Sequence, residues 1–270
     1  MKFDYIVGNP PYKKNLYMKI FMNSFRLLEK EMIFIMPFAP YINKNPKPNK
    51  FFTEFKNIIK KYKTSIEEYE DLFNGIFLTN GACITKIENK VGDTHLKYID
   101  GNNNKIENID NINRLRLSEE IFQKSLKFYK NIEGKKLIDI MSDKGTLKLA
   151  KIRGNIRPDG LSNDFYTFLS KNDYLKSLSG EQNKGTKSKK IDCDIKDIDN
   201  IIYYLETKFA RYALALNKWD FNTTNYYYTL IPVVDFNKKW NDKMLFEYFN
   251  VPKDIQKEIL KIPDWKSIID

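Results

Sequence analysis

Asn9-Pro10-Pro11-Tyr12 is the stretch whose residue types and order best suit a chemical task. Each proline fixes its own φ and restricts the residue before it, so the turn has little freedom. One amide and one aromatic ring are thereby held on a rigid support, an arrangement that suits a planar, amino-bearing ring as ligand.

The elements around the turn follow from hydrophobic pattern. Phe3 to Val7 is a short apolar run ended by Gly8, which predicts a buried strand of a parallel sheet. Ligands in open α/β sheets sit at the carboxyl ends of strands, where residues 9–12 would project. Leu16 to Lys30 predicts an amphipathic helix with Leu16, Ile20, Leu27 and Leu28 on its apolar face, beside Phe21 and Phe25. Met32 to Met36 predicts a second buried strand. The four prolines and three asparagines from Pro37 to Lys50 predict a loop. Phe51 to Tyr62 predicts a helix with Phe55, Ile58 and Ile59 inward, followed by Ser65 to Glu70, a loop, and a strand at Ala82 to Ile87.

Asp4, four intervening residues and Asn-Pro-Pro-Tyr after a strand resemble the catalytic motif of the S-adenosylmethionine-dependent amino-methyltransferases, of which the N6-adenine DNA methyltransferases are the largest group. The resemblance covers roughly residues 1–90 and includes Ile35-Met36-Pro37 and Phe73-Asn74-Gly75 before Gly81-Ala82-Cys83-Ile84. It implies that the Asn9 side-chain oxygen and the Pro10 carbonyl accept the two hydrogens of a target amine. An aromatic amine is a poor nucleophile because its lone pair is delocalised into the ring; two fixed acceptors pull it toward tetrahedral geometry. The resemblance further implies that Tyr12 stacks on an adenine flipped out of duplex DNA, with Phe73, or else Phe77, on the opposite face. S-adenosylmethionine is the implied cofactor. The implied fold is α/β: the C-terminal half of a Rossmann-like methyltransferase sheet, followed by an α+β target-recognition domain.

Composition fits a nucleic-acid partner. The chain has 270 residues, 42% hydrophobic, and a net charge of +11 led by lysine, which favours a polyanion. No run approaches 18 apolar residues and the N-terminus lacks a signal-peptide pattern, so the sequence predicts a soluble, intracellular protein away from membranes, and the resemblance implies the cytoplasm of a bacterium or phage. Two cysteines, Cys83 and Cys193, cannot make a disulfide framework, and His95 as the sole histidine argues against zinc.

The charge is concentrated. Between Lys135 and Arg157 stand seven basic residues against Asp139 and Asp143, and Gln182 to Lys190 holds no acid. Lys148, Lys151, Arg153, Arg157, Lys184, Lys187, Lys189 and Lys190 are the candidate DNA contacts, where phosphate binding positions the protein and base contacts specify sequence. Gly92-Asp93 and Gly101 to Asn104 read as hairpin turns. Ser118 opens a helix to about Lys130, Asp197 to Lys218 reads as one long helix, and Tyr226 to Pro232 as a strand. Lys208 and Arg211 on that long helix are further positions from which a cation could reach phosphate. The tail resembles the closing segment of methylase subunits from restriction–modification systems, with Trp240 and Trp265 as packing residues. The division expected is a catalytic half at 1–95, a recognition region at 96–230 and a helical tail at 231–270.

One part of the pattern is missing. No two of the eleven glycines are separated by one residue, so the Gly-x-Gly turn that grips the cofactor at a helix N-terminus is absent; Asp143-Lys144-Gly145-Thr146 is its nearest imitation. The reading is therefore a DNA adenine-N6 methyltransferase whose cofactor-binding half lies on a second chain or was lost. Two alternatives stay open: a catalytically silent DNA-binding or specificity subunit, and a methyltransferase acting on RNA or on protein glutamine.

Overall fold

A computed structural model describes residues 1–42, 50–69, 81–98, 103–113, 115–142, 147–148, 190–191, 193–217 and 225–262. They fall into two compact units, Met1–Glu119 and the residues from Glu120 on.

The first unit is built on a six-stranded mixed sheet in the order β1-β2-β4-β3-β5-β6. Its strands are β1 (Phe3–Gly8), β2 (Leu28–Pro37), β3 (Tyr62–Tyr69), β4 (Ala82–Val91), β5 (Thr94–Lys97) and β6 (Asn103–Ile106), and its helices α1 (Leu16–Arg26), α2 (Ala39–Ile42) and α3 (Lys50–Lys61). β1 runs parallel to β2, with Val7 opposite Ile33. β2 then meets β4 antiparallel, with Ile35 opposite Ile84. Helix–sheet packing is aromatic: Phe21 of α1 sits edge-on to Phe34 of β2 at 5.7 Å and to Phe55 of α3 at 5.1 Å. Met32, Phe34 and Met36 alternate into this core, the period of two that a strand demands.

Several expectations are corrected by these elements. α1 ends at Arg26 rather than Lys30, because Leu28 is already paired with Phe3 and opens the alternation of β2. The buried face of α1 is Tyr17, Met18, Phe21 and Met22, while Leu16 is 42% exposed. The proline-rich segment is not all loop: Ala39–Ile42 forms a helical turn with Tyr41 buried, Pro40 standing in the first turn, where a missing N–H is tolerated. Gly92-Asp93 does not close a hairpin, since β3 lies between β4 and β5 and pairs with β5 in parallel. β1 is not buried. It lies at the edge of the sheet with Phe3, Tyr5 and Val7 exposed by 42%, 67% and 78%.

The second unit packs α4 (Glu119–Asn131), α5 (Ile198–Glu206), α6 (Lys208–Asn217), α7 (Asp242–Tyr248) and α8 (Lys253–Leu260), with a small sheet of Met141–Ser142, Lys190–Ile191 and Leu147–Lys148. The single helix expected from Asp197 to Lys218 is two, broken at Thr207, whose hydroxyl accepts from the Ala210 amide at 3.2 Å as an N-cap. The strand expected at Tyr226 to Pro232 is a 3-10 helix over Asn225–Leu230. Aromatic side chains favour strands, yet Tyr227, Tyr228 and Leu230 are buried, and that burial decides the local form. Among the described residues no helix is long and apolar enough to cross a membrane.

Candidate functional site

The turn emerges from the carboxyl end of β1. Gly8 allows a close approach there: a Cβ would meet the Phe34 ring at 3.1 Å and the ring would have to shift. Pro10 is buried, Asn9 and Pro11 are exposed and Tyr12 is partly buried, so the turn is anchored by one proline and presents its amide to solvent. The Tyr12 hydroxyl donates a hydrogen bond to the Asn9 side-chain oxygen at 2.8 Å. The chain then passes through a short 3-10 turn, Lys13–Asn15, and a left-handed Asn15 (φ 62°) into α1. That entry brings Tyr17 against Tyr12, ring centroids 6.3 Å apart and planes at 89°.

Behind the turn stands a wall of buried phenols and one thiol, with the buried Glu68 opposite Cys83 and paired with Arg116 at 3.3 Å. Burial, and secondarily the neighbouring Cys83 thiol, raises the Tyr12 hydroxyl and pushes that of Tyr17 up to about 12. Tyr41, fully buried, is raised much further by the same cause, and its hydroxyl contacts the Thr85 hydroxyl at 2.5 Å. Burial also holds the Cys83 thiol protonated, its sulfur lying 3.5 Å from the Met36 carbonyl. Such a thiol is inert as a nucleophile. The wall can shape and desolvate a flat ligand, and its one buried carboxylate, Glu68, is taken up by Arg116.

Of the residues expected at the site, Asn9, Pro10, Pro11 and Tyr12 share this one turn. Phe73 and Phe77 lie outside the described residues, between Tyr69 at the end of β3 and Gly81 before β4. Lys151, Arg153, Arg157, Lys184, Lys187 and Lys189 also lie outside them, as do Trp265 and the Asp143 to Thr146 turn. Lys148 and Lys190 are backbone partners in the small sheet of the second unit. Arg211 is wholly buried within α6, which removes it as a phosphate contact. Trp240 is buried and donates its indole N–H to the Asp235 carbonyl at 2.7 Å, a packing role.

Tyr17 and Tyr41 were not legible as site residues. The helical pattern gave Tyr17 no place on the inward face, and the prolines around Tyr41 concealed a helical turn. Among the described residues no group of three or more His, Cys, Asp or Glu side chains is placed to hold a metal.

No protein-family model matches the sequence, and no curated protein matches it. Among solved structures, the chain is similar to a modification subunit of a putative type I restriction enzyme from Vibrio vulnificus YJ016, at 12% identity and a TM-score of 0.27. The match takes in 52% of this chain and 35% of that one, so the chain spans about a third of that protein's length.

Proposed function

We propose that this chain carries the amine-binding part of a DNA adenine-N6 methyltransferase of the restriction–modification type. The observation that supports this most directly is the Asn9–Tyr12 turn, exposed at the carboxyl end of a strand that runs parallel to its neighbour, with amide and phenol in contact at 2.8 Å. Asn9 and the Pro10 carbonyl take the two amino hydrogens of a flipped adenine. Tyr12 stacks on one face of that base and Phe73, or Phe77, on the other. Lys148, Lys151, Arg153, Arg157, Lys184, Lys187, Lys189 and Lys190 hold phosphates of the duplex, consistent with a net charge of +11.

Among the described residues of the first unit, no glycine offers S-adenosylmethionine a cradle. Gly8, the glycine beside the turn, is closed off by Phe34, and Gly81 is packed against the Tyr69 carbonyl at 3.3 Å. Neither gives a ligand close access to backbone. The outer edge of β1 is open to a further strand, and the cofactor-binding part is proposed to dock there, on a second chain or on more of this one. The same lack of a cradle favours a second reading, a silent DNA-binding subunit.

One experiment separates the two readings. Genomic DNA from cells expressing this chain with its genomic neighbours should carry N6-methyladenine, and Asn9→Ala should erase the mark while leaving retention on duplex DNA unchanged. A mark that survives Asn9→Ala removes the catalytic reading. DNA retention without any mark in the wild type leaves the silent subunit.

A further inference from the structure

The hydroxyl of Tyr12 has no part in stacking, yet it makes the closest polar contact of the turn, 2.8 Å to the Asn9 oxygen. The χ2 of asparagine is a broad, nearly two-fold rotor. One orientation offers an acceptor to an incoming amine, and the other offers a second donor, which repels it. Phenol is a better donor than acceptor because its lone pair is conjugated into the ring. A tyrosine hydroxyl therefore favours the orientation in which the amide oxygen faces it. That oxygen has two lone pairs, so one remains for a ligand. The phenol is itself held: Tyr17 stands edge-on at 89° behind it, itself only 6% exposed.

We propose that Tyr12 is a positioning residue as well as a stacking one. Its hydroxyl, braced by Tyr17, fixes the Asn9 amide so that the free lone pair of the oxygen meets an aromatic amine and selects rings that bear one. The inference rests on the reading that Asn9 accepts an amine, and the two claims are tested apart.

The probes are 9-methyladenine and 9-methylpurine, which differ by the amino group, titrated into the full chain and followed by NMR. The wild type should prefer the adenine. Tyr12→Phe keeps the ring, so purine affinity should hold within about twofold, while the adenine preference should fall by roughly three- to tenfold, the worth of a single neutral hydrogen bond. In the same variant the side-chain amide proton shifts of Asn9 should move toward those of a solvent-exposed asparagine, as averaging over χ2 requires. Tyr17→Leu should lower the preference by less, and an unchanged preference there removes Tyr17 from the proposal. If Asn9→Ala abolishes the preference but Tyr12→Phe leaves it intact or raises it, the positioning role is overturned and amine binding by Asn9 stands. If Asn9→Ala itself changes nothing, the amine-binding reading fails first, and the positioning role with it.

Discussion

Asn9 and Asn113 are the same residue in opposite employment. Asn113 is buried, donates to the carbonyls of Asn111 and Leu117 at 3.1 Å each and accepts from the Leu117 amide at 3.0 Å. Its hydrogen-bonding capacity goes into closing a loop. Asn9 is exposed, and its oxygen is engaged by a side chain three residues away. Two rigid prolines made Asn9 legible in the sequence, whereas Asn113 gave no signal because its partners are backbone groups. Tyr17 carries a residue-scale prediction. Burial raises its hydroxyl from the ordinary 10 to about 12, so the folded state favours the neutral phenol. A raised folded pKa gives stability that is complete below pH 10 and is lost between pH 10 and about 12. Urea midpoints measured from pH 9 to 12 should fall across that window by an amount on the order of 2 kcal/mol. Tyr17→Phe should shallow the fall. An equally steep fall in Tyr17→Phe would assign the alkaline loss to other groups, Tyr41 first among them.

At the scale of elements, the sequence conveyed periodicity well and punctuation poorly. α3 lies one residue from its expected start and buries Phe55 and Ile59 as its pattern requires, and β2 and β4 contain the runs predicted for them. The break between α5 and α6 was missed because the residues on either side continue one apolar stripe. What ends α5 is Thr207, a local cap, joined by a tertiary one. The Asp242 carboxylate, 34 residues from Lys208, accepts from the first amides of α6, at 3.2 Å from Lys208 and 2.8 Å from Phe209. A cap supplied from a distant part of the chain leaves no trace at sequence positions 206 to 208. Burial raises the Asp242 carboxyl above its ordinary value despite these hydrogen bonds, so placing a charge there carries a desolvation cost, and its oxygens contribute the cap. Asp242→Ala should therefore cost about 1–2 kcal/mol, as loss of a cap does. Asp242→Asn, which keeps an acceptor without the buried charge, should cost less than half of that by denaturant unfolding at neutral pH. Equal costs for the two variants would mean that the charge, not the acceptor, holds α6.

At the scale of the first unit, its sheet is covered on one face by helices, and on the other no described helix packs. The open face carries Tyr5 and Val7 of β1, Ile33 and Ile35 of β2 and Ile84 of β4, brought together by register. A parallel strand is ordinarily covered on both faces, and a free edge beside an apolar patch is a template for association. The charges that flank this patch are already neutralised on the same strands, Lys86 with Glu31 at 2.7 Å and Lys63 with Glu88 at 2.6 Å. A surface that covers the patch needs to be apolar and uncharged, unlike the duplex proposed for the lysines of the other segments. The expectation of a buried β1 came from its composition, and composition reports what a strand is suited to rather than what covers it. Val7, 78% exposed, tests this directly. At so open a position Val7→Lys should move the stability of the chain by no more than about 0.5 kcal/mol. If the edge and face associate with a second copy of the chain, sedimentation of the wild type should depend on concentration and that of Val7→Lys should not. A wild type that sediments as one species at every concentration, with Val7→Lys indistinguishable from it, would show that exposed β1 is stable in water as it stands.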